Sequence, residues 1–315
     1  MNIFITGGSG FIGHNVARML QTSHCVTTYD NETTYGCLKS DEVAALHKER
    51  QALLDRCTLI RGDICNRIDL YTAMAVARPE VVIHMAAFPR AKVVNADPPA
   101  GASVMSVALL TLLELSKASK VRRFVYISSS MVYGDFDSGV KEDAVCNPKG
   151  TYAILKYAGE LLVKDFCTVN NMEYVIVRPS AVYGPRDVED RVLSKFLMNA
   201  LRGDNIVVKG ANEVLDFSYV EDVAAGIVLT ATHENAPGNI FNMTRGIGVS
   251  LLDAARFCFK LANSSSKIVV TSKDTTFPNR GALSISNASN KLGYSPQFAL
   301  TDGLEKYYEW VQSTI

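Results

Sequence analysis

The sequence predicts an α/β fold: a doubly wound parallel sheet joined to a smaller, mixed α/β C-terminal region. Two observations carry this. Over the first 180 residues short apolar runs alternate with segments of helical periodicity, the pattern of parallel strands joined by crossover helices. After Pro185 that rhythm loosens into shorter, less regular elements. A chain of 315 residues can bury a large core, in one or two domains.

Taken in order, Asn2 to Thr6 is an apolar run that ends in glycines, and Phe11 to Leu20 then carries apolar residues at helical spacing: strand, tight turn, helix. Cys25 to Asp30 reads as strand, Asp41 to Leu54 as helix, Thr58 to Arg61 as strand, Arg67 to Ala77 as helix, and Val81 to Met85, after Pro79, as strand. Ser103 to Ser119 is a long helix whose apolar residues exceed one stripe, so it is expected to be covered on two sides, by the sheet and by a partner. Val121 to Ser128 is a buried strand, Thr151 to Asn170 a second long helix, and Tyr174 to Pro179 a further strand. Beyond Pro185 follow helix Val188 to Leu201, short strands near Ile206 to Val208 and Phe217 to Tyr219, and helix Val223 to His233. Strand Asn239 to Met243, helix Leu251 to Ala262, strand Lys267 to Thr271 and a closing helix Leu300 to Gln312 complete the chain. Residues 1–180 thus form one unit and 181–315 mainly another, with about 212–245 partly returning to the first. No linker separates them.

Lys+Arg and Asp+Glu are equal at 32 each, so net charge supplies no field to gather nucleic acid or an anionic membrane. The apolar runs are short or interrupted, which excludes a confident membrane span. The cysteines, at 25, 37, 57, 65, 146, 167 and 258, have no paired spacing, and the N-terminus enters a strand at once. A reduced, cytoplasmic protein is therefore expected. The histidines and cysteines form no ligand-spaced cluster, so no metal is expected. His84, on a buried strand, reads as a satisfied core histidine without a functional role.

Glycines 7, 10 and 13 follow the first strand directly and open a helix. Their missing Cβ atoms let the turn tighten, a pyrophosphate approach the backbone, and the helix pack on the strand, the features of a Rossmann-type dinucleotide site. The next strand ends at Asp30, about 17 residues past Gly13, near the spacing of a ribose-binding acid. A carboxylate there accepts from ribose hydroxyls and repels a 2′-phosphate, and no arginine sits beside it. NAD is expected rather than NADP. Asp63, after the third strand, stands either beside the adenine or as N-cap of the helix from Asn66.

Tyr152 and Lys156 lie at i and i+4 on one helix and so share a face. A phenol titrates near 10 and works as a base only when a cation or hydrogen-bond network lowers that value; Lys156 is placed to do so. Ser128-Ser129-Ser130-Met131-Val132-Tyr133-Gly134 stands at the C-terminal end of a predicted central strand, where open α/β sheets bind ligands. A hydroxyl there can bond a substrate oxygen that alternates between alcohol and ketone.

These motifs together resemble the extended short-chain dehydrogenases/reductases, in particular their NAD-dependent nucleotide-sugar epimerase/dehydratase family. The resemblance runs through His84-Met85-Ala86-Ala87, Val132-Tyr133-Gly134, Arg178 to Pro185, Phe217 to Asp222 and Lys291 to Pro296. It implies that Ser129 is the catalytic serine and Ser128 lies nearer the cofactor. Tyr152 would take the sugar hydroxyl proton, Lys156 would lower the Tyr152 pKa and hold the nicotinamide ribose, and Ser129 would bridge the reacting oxygen. Gly7, Gly10, Phe11, Ile12, Gly13, Asp30, Asn31, Asp63, Ile64, Met85, Ala86 and Ala87 would line the cofactor, with Pro179 and Val182 at the nicotinamide. Ser129, Ser130, Arg186 and Arg280 would meet the substrate, and Pro89 and Arg90 lie in a loop where substrate contacts are usual.

The chain departs from the family at four positions. An Asp-Glu pair that eliminates water in the 4,6-dehydratases is here Ser130-Met131, and neither side chain can act as a carboxylic acid or carboxylate base. Ala181 and Leu215 stand where an Asn and an Arg often grip the substrate diphosphate. An epimerase is therefore expected, oxidising a sugar hydroxyl at C4 and re-reducing it. The alternatives are a sugar-nucleotide dehydrogenase or reductase, and a non-catalytic dinucleotide sensor or scaffold. The helices Ser103 to Ser119 and Thr151 to Asn170 would, by the same resemblance, pair in a homodimer.

Overall fold

The protein is described by a computed structural model covering residues 1–33, 40–88, 91–188, 191–275 and 277–314. From the N-terminus, β1 (Asn2–Thr6), α1 (Phe11–Leu20), β2 (Cys25–Asp30), α2 (Ser40–Gln51), β3 (Thr58–Arg61), α3 (Arg67–Ala77) and β4 (Val81–His84) alternate strictly. Then come α4 (Ala91–Ala96), α5 (Pro98–Ala102), a π turn (Ser103–Val107), α6 (Ala108–Ala118), β5 (Arg123–Ile127), α7 (Thr151–Val169) and β6 (Glu173–Pro179). The remainder is β7 (Val182–Tyr183), α8 (Val192–Arg202), β8 (Ile206–Lys209), β9 (Val214–Asp216), β10 (Ser218–Tyr219), α9 (Val220–Thr232), β11 (Asn239–Met243), β12 (Gly248–Ser250), α10 (Leu251–Leu261), β13 (Ile268–Thr271), α11 (Ser286–Leu292) and α12 (Leu300–Thr314).

Seven strands form one sheet in the order β11-β6-β5-β4-β1-β2-β3, and every pairing is parallel. The expected doubly wound architecture is borne out. β4 and β5 are buried along their whole length, as strands covered on both faces must be, which is why they are apolar but for His84 and Arg123 at their ends. One face packs on α1 and α9 through Val16, Leu20, Val223 and Ile227; the other packs on α3, α6 and α7 through Leu70, Leu109, Leu112 and Val163. The strand order turns between β1 and β4, which opens a crevice at their C-terminal ends.

The C-terminal part holds three two-stranded pairs: β7 with β10, the antiparallel β9 with β12, and β8 with β13. Helices α8, α10 and α12 close a separate core over them, built on Phe196, Leu197, Phe217, Cys258 and Tyr307. β11 leaves this region and adds to the edge of the large sheet beside β6.

Several expectations need correction. The long helix begins at Pro98, because Asp97 caps it by accepting from Ala100 N and prolines at the first two positions need no donor. The resulting Pro98–Ala118 segment is long and apolar enough, by length and composition, to cross a membrane, contrary to the reading that excluded such a span. Its apolarity serves the core, where Leu109, Leu112 and Leu113 are fully buried under the sheet. The cap of α3 is Asn66, which accepts from Ile68 N and Asp69 N, so Asp63 is not an N-cap. The helix expected from Val188 starts at Val192, the strand expected over Phe217 to Tyr219 shortens to β10 with β9 just before it, and β9, α4 and α11 were not foreseen.

Candidate active site

The crevice between β1 and β4 contains a cavity of about 280 Å³ that runs from Asp30 and Asp63 at one end to Ser129, Tyr152 and Lys156 at the other. All the cofactor positions expected from the sequence line it. The glycine turn is shaped for close approach. Gly7 has φ of 73°, and a Cβ on Gly13 would stand 2.1 Å from Gly7 O, so no side chain fits there. With the N-terminus of α1 aimed into the same space, the residues present fit a dinucleotide pyrophosphate.

At the far end, Asp30 Oδ2 accepts from Ser9 N at 2.9 Å and Oδ1 from Glu32 N at 2.8 Å. Burial raises the Asp30 pKa, and these two bonds oppose the rise. Asp63 accepts from Cys65 N and from Asn31 Nδ2, which knits the second and third strand ends into one rim. The expectation that no arginine sits beside Asp30 holds for the sequence but not for the fold. Arg50, from α2, lines the cavity too. Its donors are turned to Ser9 O at 3.2 Å and Arg186 O at 2.7 Å.

At the near end, the Ser129 hydroxyl bonds the Tyr152 phenol and accepts from Met131 N at 3.2 Å. Burial raises the Tyr152 pKa, while the bond from Ser129 and the charge of Arg191 pull it down. Lys156 donates to Ile127 O at 2.7 Å, and burial lowers its pKa to about 8 against the opposing pull of Glu160. Arg191 thus adds its field to the phenol, and Lys156 stands one helical turn from Tyr152 in the same cavity wall. Ser128 turns away to donate to Glu160 Oε1 at 2.5 Å. Glu160 is held by a fork from Arg178 at 2.9 and 2.6 Å, with both side chains 2% exposed. This buried pair fixes the end of β5 against α7 and β6, and so sets where Ser129 meets Tyr152. Gly159 makes the approach possible, since a Cβ there would lie 2.2 Å from the Tyr126 hydroxyl.

A second cavity, of about 480 Å³, opens from the first between β7, α8 and the segment around Arg280. Lys92, Arg191, Lys195, Lys209, Lys273 and Arg280 line it, against Glu213 and Asp274, so it suits an anionic ligand. Glu213 pairs with Lys273 at 2.6 Å. Arg280, where burial lowers the pKa to about 10, is therefore brought to the site as expected from the sequence. Arg186 and Ser130 are not. Arg186 pairs with Glu49 at 2.9 Å and lines neither cavity, and Ser130 is buried within the turn that follows β5. Pro89 and Arg90 lie outside the described residues. Ala181 and Leu215, the departures at the positions that often grip the diphosphate, both line the second cavity, and Ala181 also lines the first. His84 bonds Thr6 Oγ1 at 2.7 Å inside the core.

Sequence reasoning missed His47, Arg50 and Arg191. The first two sit on a helix whose polar sequence has no distinguishing pattern. Arg191 is the one charged residue shared by both cavities among the described residues, and its proximity to Tyr152 has no sequence signal at all.

The model of the NAD dependent epimerase/dehydratase family matches residues 3–244. The chain is 28% identical to a UDP-glucose 4-epimerase of Mycolicibacterium smegmatis, covering 99% of each. It is 27% identical to a dTDP-glucose 4,6-dehydratase of Actinoplanes sp., covering 99% of this chain and 98% of that one. Among solved structures it is similar to the UDP-glucuronic acid 4-epimerase of Bacillus cereus, in complex with UDP-glucuronic acid and NAD, with a TM-score of 0.91, 29% identity and full coverage of both chains.

Proposed function

Since the chain belongs to the NAD-dependent epimerase/dehydratase family, we propose that it is a nucleotide-sugar 4-epimerase, which oxidises the C4 hydroxyl to a ketone and re-reduces it on the other face. One observation carries the choice between epimerase and dehydratase. Ser129, Tyr152 and Lys156 line one cavity, while the neighbouring positions 130 and 131 hold Ser and Met, with no carboxyl to eliminate water.

In the first cavity the glycine turn would hold the NAD⁺ pyrophosphate, Asp30 the adenosine ribose, and Pro179 and Val182 the nicotinamide. When bound, the cofactor supplies a hydride acceptor that later returns the hydride. Tyr152 takes the hydroxyl proton and gives it back, and Ser129 holds the oxygen as it passes between alcohol and ketone. Lys156 keeps a positive charge beside the site and is within the same cavity wall as the ribose. Arg280 and the lysines of the second cavity meet the substrate diphosphate.

Incubation with UDP- and dTDP-sugars, followed by NMR, tests this. Inversion at C4 without net absorbance change at the NADH band is expected. Stoichiometric accumulation of NADH would instead make the protein a dehydrogenase.

We further read 1–180 as the NAD-binding domain, with about 212–245 returning to it, and 181–315 as mainly substrate-binding. The outer faces of the helices around the π turn and of α7 expose Val107, Leu110, Ile154 and Leu161, which supports a homodimer through these helices. Light scattering at the monomer mass would remove that reading. The unpaired cysteine pattern supports a cytoplasmic location.

A further inference from the structure

We propose that His47 is a direct contact to the adenosine ribose of NAD and a determinant of cofactor affinity, complementing Asp30. His47 is 7% exposed and lines the first cavity from α2, yet among the described residues neither ring nitrogen makes a hydrogen bond of good geometry, the Glu32 carbonyl being its one weak backbone contact. A buried imidazole left in this condition costs free energy, so a partner supplied by a ligand is the economical account.

The surroundings fix which part of the ligand that is. The charged groups acting on His47 are Arg50, Glu32 and Asp30, which puts it at the ribose end rather than the nicotinamide end. Burial and Arg50 lower its pKa, so the ring is neutral, with one donor and one acceptor. Each Asp30 oxygen already accepts one backbone N–H and has lone pairs left for ribose hydroxyl protons. Hydroxyl oxygens that donate to Asp30 remain acceptors, and an imidazole N–H completes them. Other polar side chains at this end are committed: Asn31 to Asp63, and Arg50 to Ser9 O and Arg186 O. Because a neutral ring adds no positive charge, it strengthens binding of the diol without compensating a 2′-phosphate against Asp30.

The inference rests on the cofactor orientation proposed above, with the ribose at Asp30, and the test separates the two. Calorimetric titration of the full-length protein with NAD⁺, 2′-deoxy-NAD⁺ and 3′-deoxy-NAD⁺ is compared for wild type, His47→Phe, His47→Gln and Asp30→Asn. His47→Phe is expected to weaken NAD⁺ binding about tenfold, the size of one buried hydrogen bond. His47→Gln, which keeps a donor and an acceptor, recovers most of it. The wild type and His47→Phe should bind one of the two deoxy analogues alike. Equal weakening of all three ligands by His47→Phe means packing alone and overturns the proposal. So does unchanged NAD⁺ binding by that variant while Asp30→Asn still weakens it. If Asp30→Asn also has no effect, the orientation itself fails, and the role of His47 falls with it.

Discussion

On the proposed mechanism the chemistry depends on Tyr152, whose phenol is bonded to Ser129 in the wall of the first cavity. Replacing it with Phe removes one oxygen and leaves the ring packing intact. Turnover is expected to fall by roughly 10²–10⁴-fold while calorimetric NAD⁺ binding persists. Unchanged turnover would sink the proton-transfer role. Ala181 carries a different stress. It adopts φ of 38°, a left-handed conformation that a β-carbon disfavours, at the wall shared by both cavities. Asn tolerates that region better, so Ala181→Asn is expected to raise stability in urea unfolding by ~0.5–1 kcal/mol and to lower KM for the nucleotide sugar.

At the scale of elements, α7 does most to assemble the site. It carries Tyr152 and Lys156 towards the cavity, Gly159 against Tyr126, and Glu160 into the buried pair with Arg178 of β6. Arg178→Met strands a buried carboxylate, and chemical denaturation is expected to register a loss of about 3–5 kcal/mol. The double variant Arg178→Met/Glu160→Leu should recover much of that stability yet remain impaired in turnover, because Ser128 loses its anchor beside Ser129. Equal stability of the single and double variants would mean that the pair is not what holds these elements. The Tyr-x-x-x-Lys spacing was legible in the sequence, since two side chains four apart on a helix must share a face. The Glu160–Arg178 pair was not: its partners come from different elements, and only sheet pairing brings β6 under α7.

For the whole molecule, pH dependence follows from buried histidines. Burial holds His14 and His84 at about 3, from an ordinary 6.5, with Arg50 and Lys156 respectively adding to the effect. The unfolded chain therefore takes up protons that the folded chain refuses. Their stabilising effect is complete above pH 6.5 and is lost as pH falls towards 3, by up to ~1.4 kcal/mol per pH unit for each histidine. Urea midpoints measured at stepped pH should fall below 6.5, and His84→Asn should flatten the slope. A flat profile in the wild type would show that neither ring is held neutral.

What the sequence determined by itself is what depends on neighbours along the chain. β1, α1, β2 and β3 have the bounds their apolar runs predict, and the glycine turn follows from three missing side chains. The parallel sheet follows from strict alternation, because strands joined by helices must return in the same direction. The start of the long helix at Pro98 had a usable signal in Asp97 followed by two prolines, a cap followed by residues suited to a helix's first turn. The short α4 and α11 had none, since six or seven residues carry too little periodicity. The tertiary structure alone decided what depends on distance through space. It brought Arg50 and His47 to Asp30, set Arg191 near Tyr152, drew Arg186 to Glu49 and buried Ser130. Charge and hydrogen-bonding partners are chosen by proximity, and for residues on different elements proximity exists only once the sheet has formed.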